Sequence, residues 1–184
     1  MTNGQVLPSD YSFDEARMVL REMIDASVLE LVESRQVADR ISLYVGYARD
    51  KNAPRDEDMF EGGHGARPAH GWGGAHTGGM RSLGQKTNSQ RIMAANFLAL
   101  FDETTHRDTP IRRINIGIAG LAPEASMPLT LFDNAEDAAR ERHLQEAVVN
   151  IRGKFGKNAM LKGTSLHEKA TARERNNQIG GHRA

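Results

Sequence analysis

RISLYVGYA, Arg40 to Ala48, alternates without a break. Ile41, Leu43, Val45 and Tyr47 fall on one side, and Ser42, Tyr44, Gly46 and Ala48 on the other. A period of two with one apolar side is a half-buried strand, and such a strand needs something to cover it. The cover precedes it. From Phe13 to about Val37, Ala16, Leu20, Met23, Ile24, Ser27 and Leu31 recur at spacings of three and four, which predicts a long amphipathic helix. Ser12 with Glu15 forms a capping box at its start. Upstream, GQVLP at residues 4–8 reads as a short edge strand limited by Pro8.

Downstream, the pattern repeats. GGMRSLGQKT predicts a weaker strand near Gly79 to Lys86. Thr87 and Gln90 suggest a second capping box, followed by a short helix with Ile92, Ala95, Leu98 or Ala99, and Phe101 inward. In IRRINIGIAGL, Ile114, Ile116 and Ile118 alternate with Arg113, Asn115 and Gly117. The order strand, helix, strand, strand, helix, strand predicts an α+β fold of the split β-α-β-β-α-β type. Its four-stranded, mainly antiparallel sheet carries two helices on one face. The other face is left bare, with small or polar residues. It is either an ordinary solvated face or a surface for a nucleic-acid backbone, where small residues let main-chain amides reach phosphates. Arg81, Lys86, Arg112 and Arg113 lie on or beside these strands.

The 184 residues allow one core and a tail, and a hydrophobic content of 39% with 5% aromatics fits a chain that is partly extended. Formal net charge is 0, so any contact with nucleic acid must come from local placement of charge. The absence of cysteine excludes disulfides and thiolate metal sites. The N-terminal stretch has no basic start followed by an apolar block, and no window approaches a membrane span, so neither a secretory signal nor a membrane anchor is expected.

Residues 51–78 lose all periodicity and read as a flexible glycine- and histidine-rich insertion. His64, His70 and His76 are six apart, wider than the tight pairs of structural zinc sites, which favours a solvated loop over a metal site. A metal-dependent hydrolase built on these histidines is the rival enzyme reading. Asp56, Glu57, Asp58 and Glu61 lack the rigid support that two-metal chemistry needs. Trp72 could stack on a base, and no glycine run matches a phosphate-binding loop.

After Leu121 the composition changes. A Pro/Ala/Ser linker leads to Pro128, Leu129, Thr130, Leu131 and Phe132, then to a capped helix with Leu144, Ala147, Val148 and Ile151 on one stripe, ended by Gly153 and Gly156. The organisation is thus 1–121 for the sheet domain, 122–133 for the linker, and 134–184 for a C-terminal helix and irregular tail. PLTLF is either a staple onto the domain's own core or a peptide for a partner's groove.

The final TSLHEKATARERNNQIGGHRA resembles the C-terminus of UmuC-type Y-family translesion DNA polymerases, the ImpB/MucB/SamB group. GQVLPSDYSFDEA, ISLYVGYA and PIRRINIGIAGL are similar to the entry, second strand and fourth strand of that family's little finger domain. The resemblance covers the chain except about residues 51–78. It implies a split βαβ domain that holds primer–template DNA, chiefly through its backbone. Ser42, Tyr44, Arg81, Lys86, Arg112 and Arg113 become candidate contacts. It also implies a bacterial sliding clamp as partner for 128–132, with Leu129, Leu131 and Phe132 as groove-filling anchors and Pro128 where the family has glutamine. The family places palm, fingers and thumb before this region. The chain therefore resembles a C-terminal portion that would not polymerise DNA alone. It would act with the polymerase core in cis, in SOS-type damage repair at the bacterial nucleoid in the cytoplasm. No cofactor is expected here, Mg2+ belonging to the palm. The alternative within this resemblance is a stand-alone, non-catalytic regulator that occupies DNA or clamp.

Overall fold

In the computed structural model, which describes residues 1–48, 75–126 and 135–177, the alternating stretch lies within a longer strand. β2 runs Gln36–Tyr47 and follows β1 (Thr2–Tyr11) and helix α1 (Phe13–Glu33). Then come β3 (His76–Thr87), α2 (Gln90–Thr104), β4 (Ile111–Ala119), a two-residue β5 (Ala122–Pro123), α3 (Ala135–Phe155) and a short α4 (Ala172–Arg175). The main sheet has the order β1-β4-β2-β3, with every neighbouring pair antiparallel. β5 pairs separately with the start of β2, Gln36 with Pro123 and Val37 with Ala122.

The capping box at Ser12 and Glu15 is formed in both directions, satisfying two backbone donors that the first turn would leave open. All six residues of the α1 stripe are buried. Five of them, all but Ser27, pack with Ile41, Leu43 and Val45 of β2 and Ile114, Ile116 and Ile118 of β4 in one cluster. Burying each large apolar side chain contributes roughly 1.5–3 kcal/mol, so this single cluster holds both helices against one side of the sheet.

The helices differ from the sequence reading at their ends. α1 stops at Glu33, because Arg35 takes a left-handed conformation (φ 51°) and Ser34 turns its hydroxyl back to the Glu30 carbonyl at 2.7 Å. At α2 the cap is Ser89, whose hydroxyl accepts from the Ile92 amide, while Thr87 Oγ1 accepts from the Ser89 amide at 3.0 Å. Moving the cap moves the buried face to Met93, Phe97, Leu100 and Phe101, leaving Ala95 exposed. Among the described residues of α3, Gln145 is buried, and Leu144 is largely exposed. α3 continues through Gly153 and ends at Gly156, whose φ of 92° suits a glycine helix stop.

α3 is tied to the sheet domain by charge. Glu141 receives the Ser89 hydroxyl at 2.7 Å and the Arg91 amide at 2.9 Å, placing a carboxylate at the positive N-terminus of α2. Arg142 pairs with Glu124 at 2.7 Å, and Asn88 bonds the same carboxylate at 3.2 Å. Among the described residues, no helix is long and apolar enough to cross a membrane.

Candidate nucleic-acid interface

Residues directly opposite in an antiparallel pair share a face, so the register assigns every strand residue to one side. Opposite Ser42 lie Gly117 on β4 and Met80 on β3; opposite Tyr44 lie Asn115 and Gly78; opposite Gly46 lie Arg113 and His76; opposite Arg40 lie Ala119 and Ser82. From β1, Thr2, Gly4 and Val6 join the same side through Gly117, Asn115 and Arg113. This side faces away from the helices. None of its residues is acidic, while Arg40, Arg113 and His76 lie upon it.

The middle of this face is kept low. A Cβ at Gly117 would strike Ser42 Oγ, and one at Gly4 would strike Asn115 Oδ1, so the neighbouring polar side chains lie across the glycines. Gly78 has φ +132°, a conformation L side chains rarely adopt, and an added Cβ would run into the Leu43 carbonyl. The result is a shallow hollow of about 380 Å³ between Thr2, Gly4, Ser42, Tyr44, Met80 and Asn115. Met80 and Val6 stand beside it, 85% and 59% exposed. The Tyr44 ring stacks on His76, centroids 5.0 Å apart.

Ser42, Tyr44 and Arg113 therefore belong to the open face. Arg112 occupies an irregular step of β4, between the Gly46–Arg113 and Tyr47–Ile111 pairs, and lies 3.7 Å from Asp10. Lys86 lies in the irregular part of β3, where it lines a second hollow of about 300 Å³ with Asp39, Arg40, Ser82, Gly84 and Gln85. Arg81 is not on the open face. It sits opposite Ile41, on the helix side, and pairs with Glu103 of α2. Residues 76–78, placed by sequence in the insertion, are strand, and His76 is a face residue stacked on Tyr44.

His64, His70, Trp72 and the acidic residues Asp56 to Glu61 lie outside the described residues, as do Pro128 to Phe132. Among the described residues no group of three or more His, Cys, Asp or Glu could hold a metal ion. Sequence reasoning missed Arg40, His76, Gly78 and Met80. Arg40 was readable, because it has the parity of Ser42. The β3 residues were not, because their parity depends on a register set by pairing.

A four-stranded antiparallel sheet with both helices on one side and an open side on the other is a split βαβ domain of the little finger class. Residues 1–131 match the impB/mucB/samB family C-terminal domain, and the chain belongs to that family. It is a family of Y-family polymerases concerned with DNA damage repair. The chain is also similar to the "Putative UV-damage repair protein UvrX" of Bacillus subtilis (strain 168), with 24% identity over 182 residues, covering 98% of this chain. It spans 38% of that relative's length.

Proposed function

We propose that this chain is the DNA-gripping C-terminal region of an error-prone Y-family polymerase acting in translesion synthesis, and that the open sheet face lies along the backbone of primer–template DNA. The observation that carries this reading is the open face itself: Arg113 and Arg40, the latter paired with Asp39 at 3.2 Å, flank a hollow floored by Gly4 and Gly117, and no residue that the register assigns to the face is acidic. A polyanion is attracted there although the whole chain has no net charge, because the field of a surface depends on where charges sit. The low centre allows close approach, and Ser42, Tyr44 and Asn115 offer hydrogen bonds to phosphate and sugar. Lys86 and Arg112 lie at the margin of the face, beside Asp39 and Asp10 respectively. Arg81, engaged with Glu103 behind the sheet, acts as part of the scaffold.

We assign Pro128 to Phe132 to a bacterial sliding clamp, Leu129, Leu131 and Phe132 filling its groove. The described flanks support presentation from a fixed place. Before the peptide, Glu124 is held by Arg142 and Asn88; after it, α3 is held at the start of α2. The intact protein would add nucleotides opposite lesions through a metal-binding palm, which would supply the Mg2+ chemistry.

The test is the salt dependence of duplex binding. Each phosphate contact removed lowers the log–log slope by about 0.9. Arg40→Ala with Arg113→Ala is expected to lower it by nearly two such steps. Arg81→Ala is expected to leave the slope unchanged, and a slope untouched by the double variant refutes the assignment. Co-elution with a bacterial sliding clamp, lost in Leu131→Ala/Phe132→Ala, tests the second assignment.

A further inference from the structure

The C-terminal motif that carries the family resemblance folds back onto the sheet domain, beyond the residues that match the family's domain. Its anchor is Glu22 of α1, only 4% exposed. One carboxylate oxygen, Oε2, accepts the amides of Thr171 at 2.9 Å and Ala172 at 3.0 Å. The Thr171 hydroxyl faces two acceptors, Gln5 Oε1 at 3.1 Å and Glu22 Oε2 at 3.4 Å. Arg175 donates to Gln5 Oε1 at 3.3 Å and to the Glu22 carbonyl at 3.2 Å. Lys169 bonds Ser9 Oγ at 3.1 Å and lies 5.2 Å over the Tyr11 ring. Asparagines knit the segment to itself: Asn158 bonds the Arg173 carbonyl and Asn177, and Asn176 bonds Asn158 at 2.8 Å.

The partners on the domain side share a location. Gln5, Ser9 and Tyr11 all belong to β1, which among the described residues is an edge strand paired with β4 alone. Its regular register covers Thr2 to Val6 and breaks before Tyr11. Edge strands with one ladder have fewer restraints than central ones, and they open locally at lower cost. Gln5 points to the helix side, while its neighbours Gly4 and Val6 belong to the open face. The terminal segment therefore grips β1 from behind, at the residues whose other side forms the hollow.

We propose that residues 169–175 are a staple that positions edge strand β1, with Thr171 and Arg175 as positioning residues for the open face, joining Gln5 to Glu22. This rests on the reading of that face as the DNA surface. Burial pushes the Arg175 pKa down, and the Glu22 charge opposes that shift.

The full chain tests it in two arms, amide hydrogen exchange and duplex binding across salt concentration. Thr171→Val and Arg175→Met are expected to speed exchange in β1 by about tenfold while the centres of α1 and β2 keep their protection. Duplex affinity is expected to fall roughly three- to tenfold with an unchanged salt slope, because no phosphate contact is removed. Thr171→Ser, which keeps the hydroxyl, is expected to restore both. Unchanged β1 exchange overturns the staple, and so does faster exchange with unaltered affinity. A slope lowered by about one overturns the positioning role, since Arg175 would then touch phosphate itself. If the wild-type chain binds no duplex, the DNA reading fails, and the exchange arm alone decides whether the segment holds β1.

Discussion

The two sides of one sheet are built from the same four strands by opposite rules. Toward the helices, alternate residues are Ile41, Leu43, Val45, Ile114, Ile116 and Ile118, packed with Leu20, Met23 and Phe97. Away from them, the intervening residues are glycine, serine, asparagine, arginine and a Tyr44–His76 stack. One side stabilises by filling space, and the other works by keeping it empty. The alternation of side chains along a strand lets both rules be written into a single stretch such as RISLYVGYA.

Substitutions that confuse the two rules are expected to have the largest effects. Phe97→Ala, at 0% exposure in the core, is expected to cost about 3–5 kcal/mol in urea unfolding. Val6→Ala on the open side is expected to stay within about 0.5 kcal/mol. A Val6 effect approaching that of Phe97 would erase the contrast. Next comes Gly78→Ala, which adds a Cβ against the Leu43 carbonyl at a left-handed φ and is expected to cost about 1–3 kcal/mol. A neutral result would mean the emptiness of the face is not enforced by its backbone. Ser12→Ala, which breaks the capping box holding the start of α1, is expected to lower stability by about 1 kcal/mol without altering duplex binding.

The smallest expected effect is pH-dependent and confined to the helix side. Arg17 of α1 holds Asp102 of α2 with bonds of 2.7 and 2.8 Å. These bonds lower the Asp102 pKa, although partial burial opposes them. A depressed folded pKa contributes stability above the ordinary carboxylate value of 3.8, and that contribution disappears as pH falls through the folded value. Both side chains keep a quarter to a third of their exposure, so Asp102→Asn is expected to cost no more than about 1 kcal/mol at neutral pH. The difference from wild type should close on the acid side in a pH series of unfolding curves.

Much of this fold was legible in the sequence because its dominant signals are local. The β2 and β4 alternation, the α1 stripe and the Ser12 box each follow from one segment's own period, and their order implied the topology. The features that were not legible depend on partners distant in sequence. Thr87 reads as the α2 cap in sequence, but its hydroxyl accepts the Ser89 amide and the cap is Ser89. Arg81 reads as a surface cation until its pairing with Ile41 turns it toward Glu103. The terminal motif has few core formers because it docks by hydrogen bonds. Polar attachment of Thr171 to Glu22, 149 positions earlier, leaves no hydrophobic period to detect.

Whether the open side or the helical side meets DNA is read from amide and side-chain chemical shifts followed during titration with a primer–template duplex. The largest changes are expected at Gly4, Arg40, Ser42, Tyr44, His76, Asn115 and Gly117, with α1 and α2 unmoved. Changes confined to α1, α2 or α3, with those seven positions silent, would contradict contact through the open side.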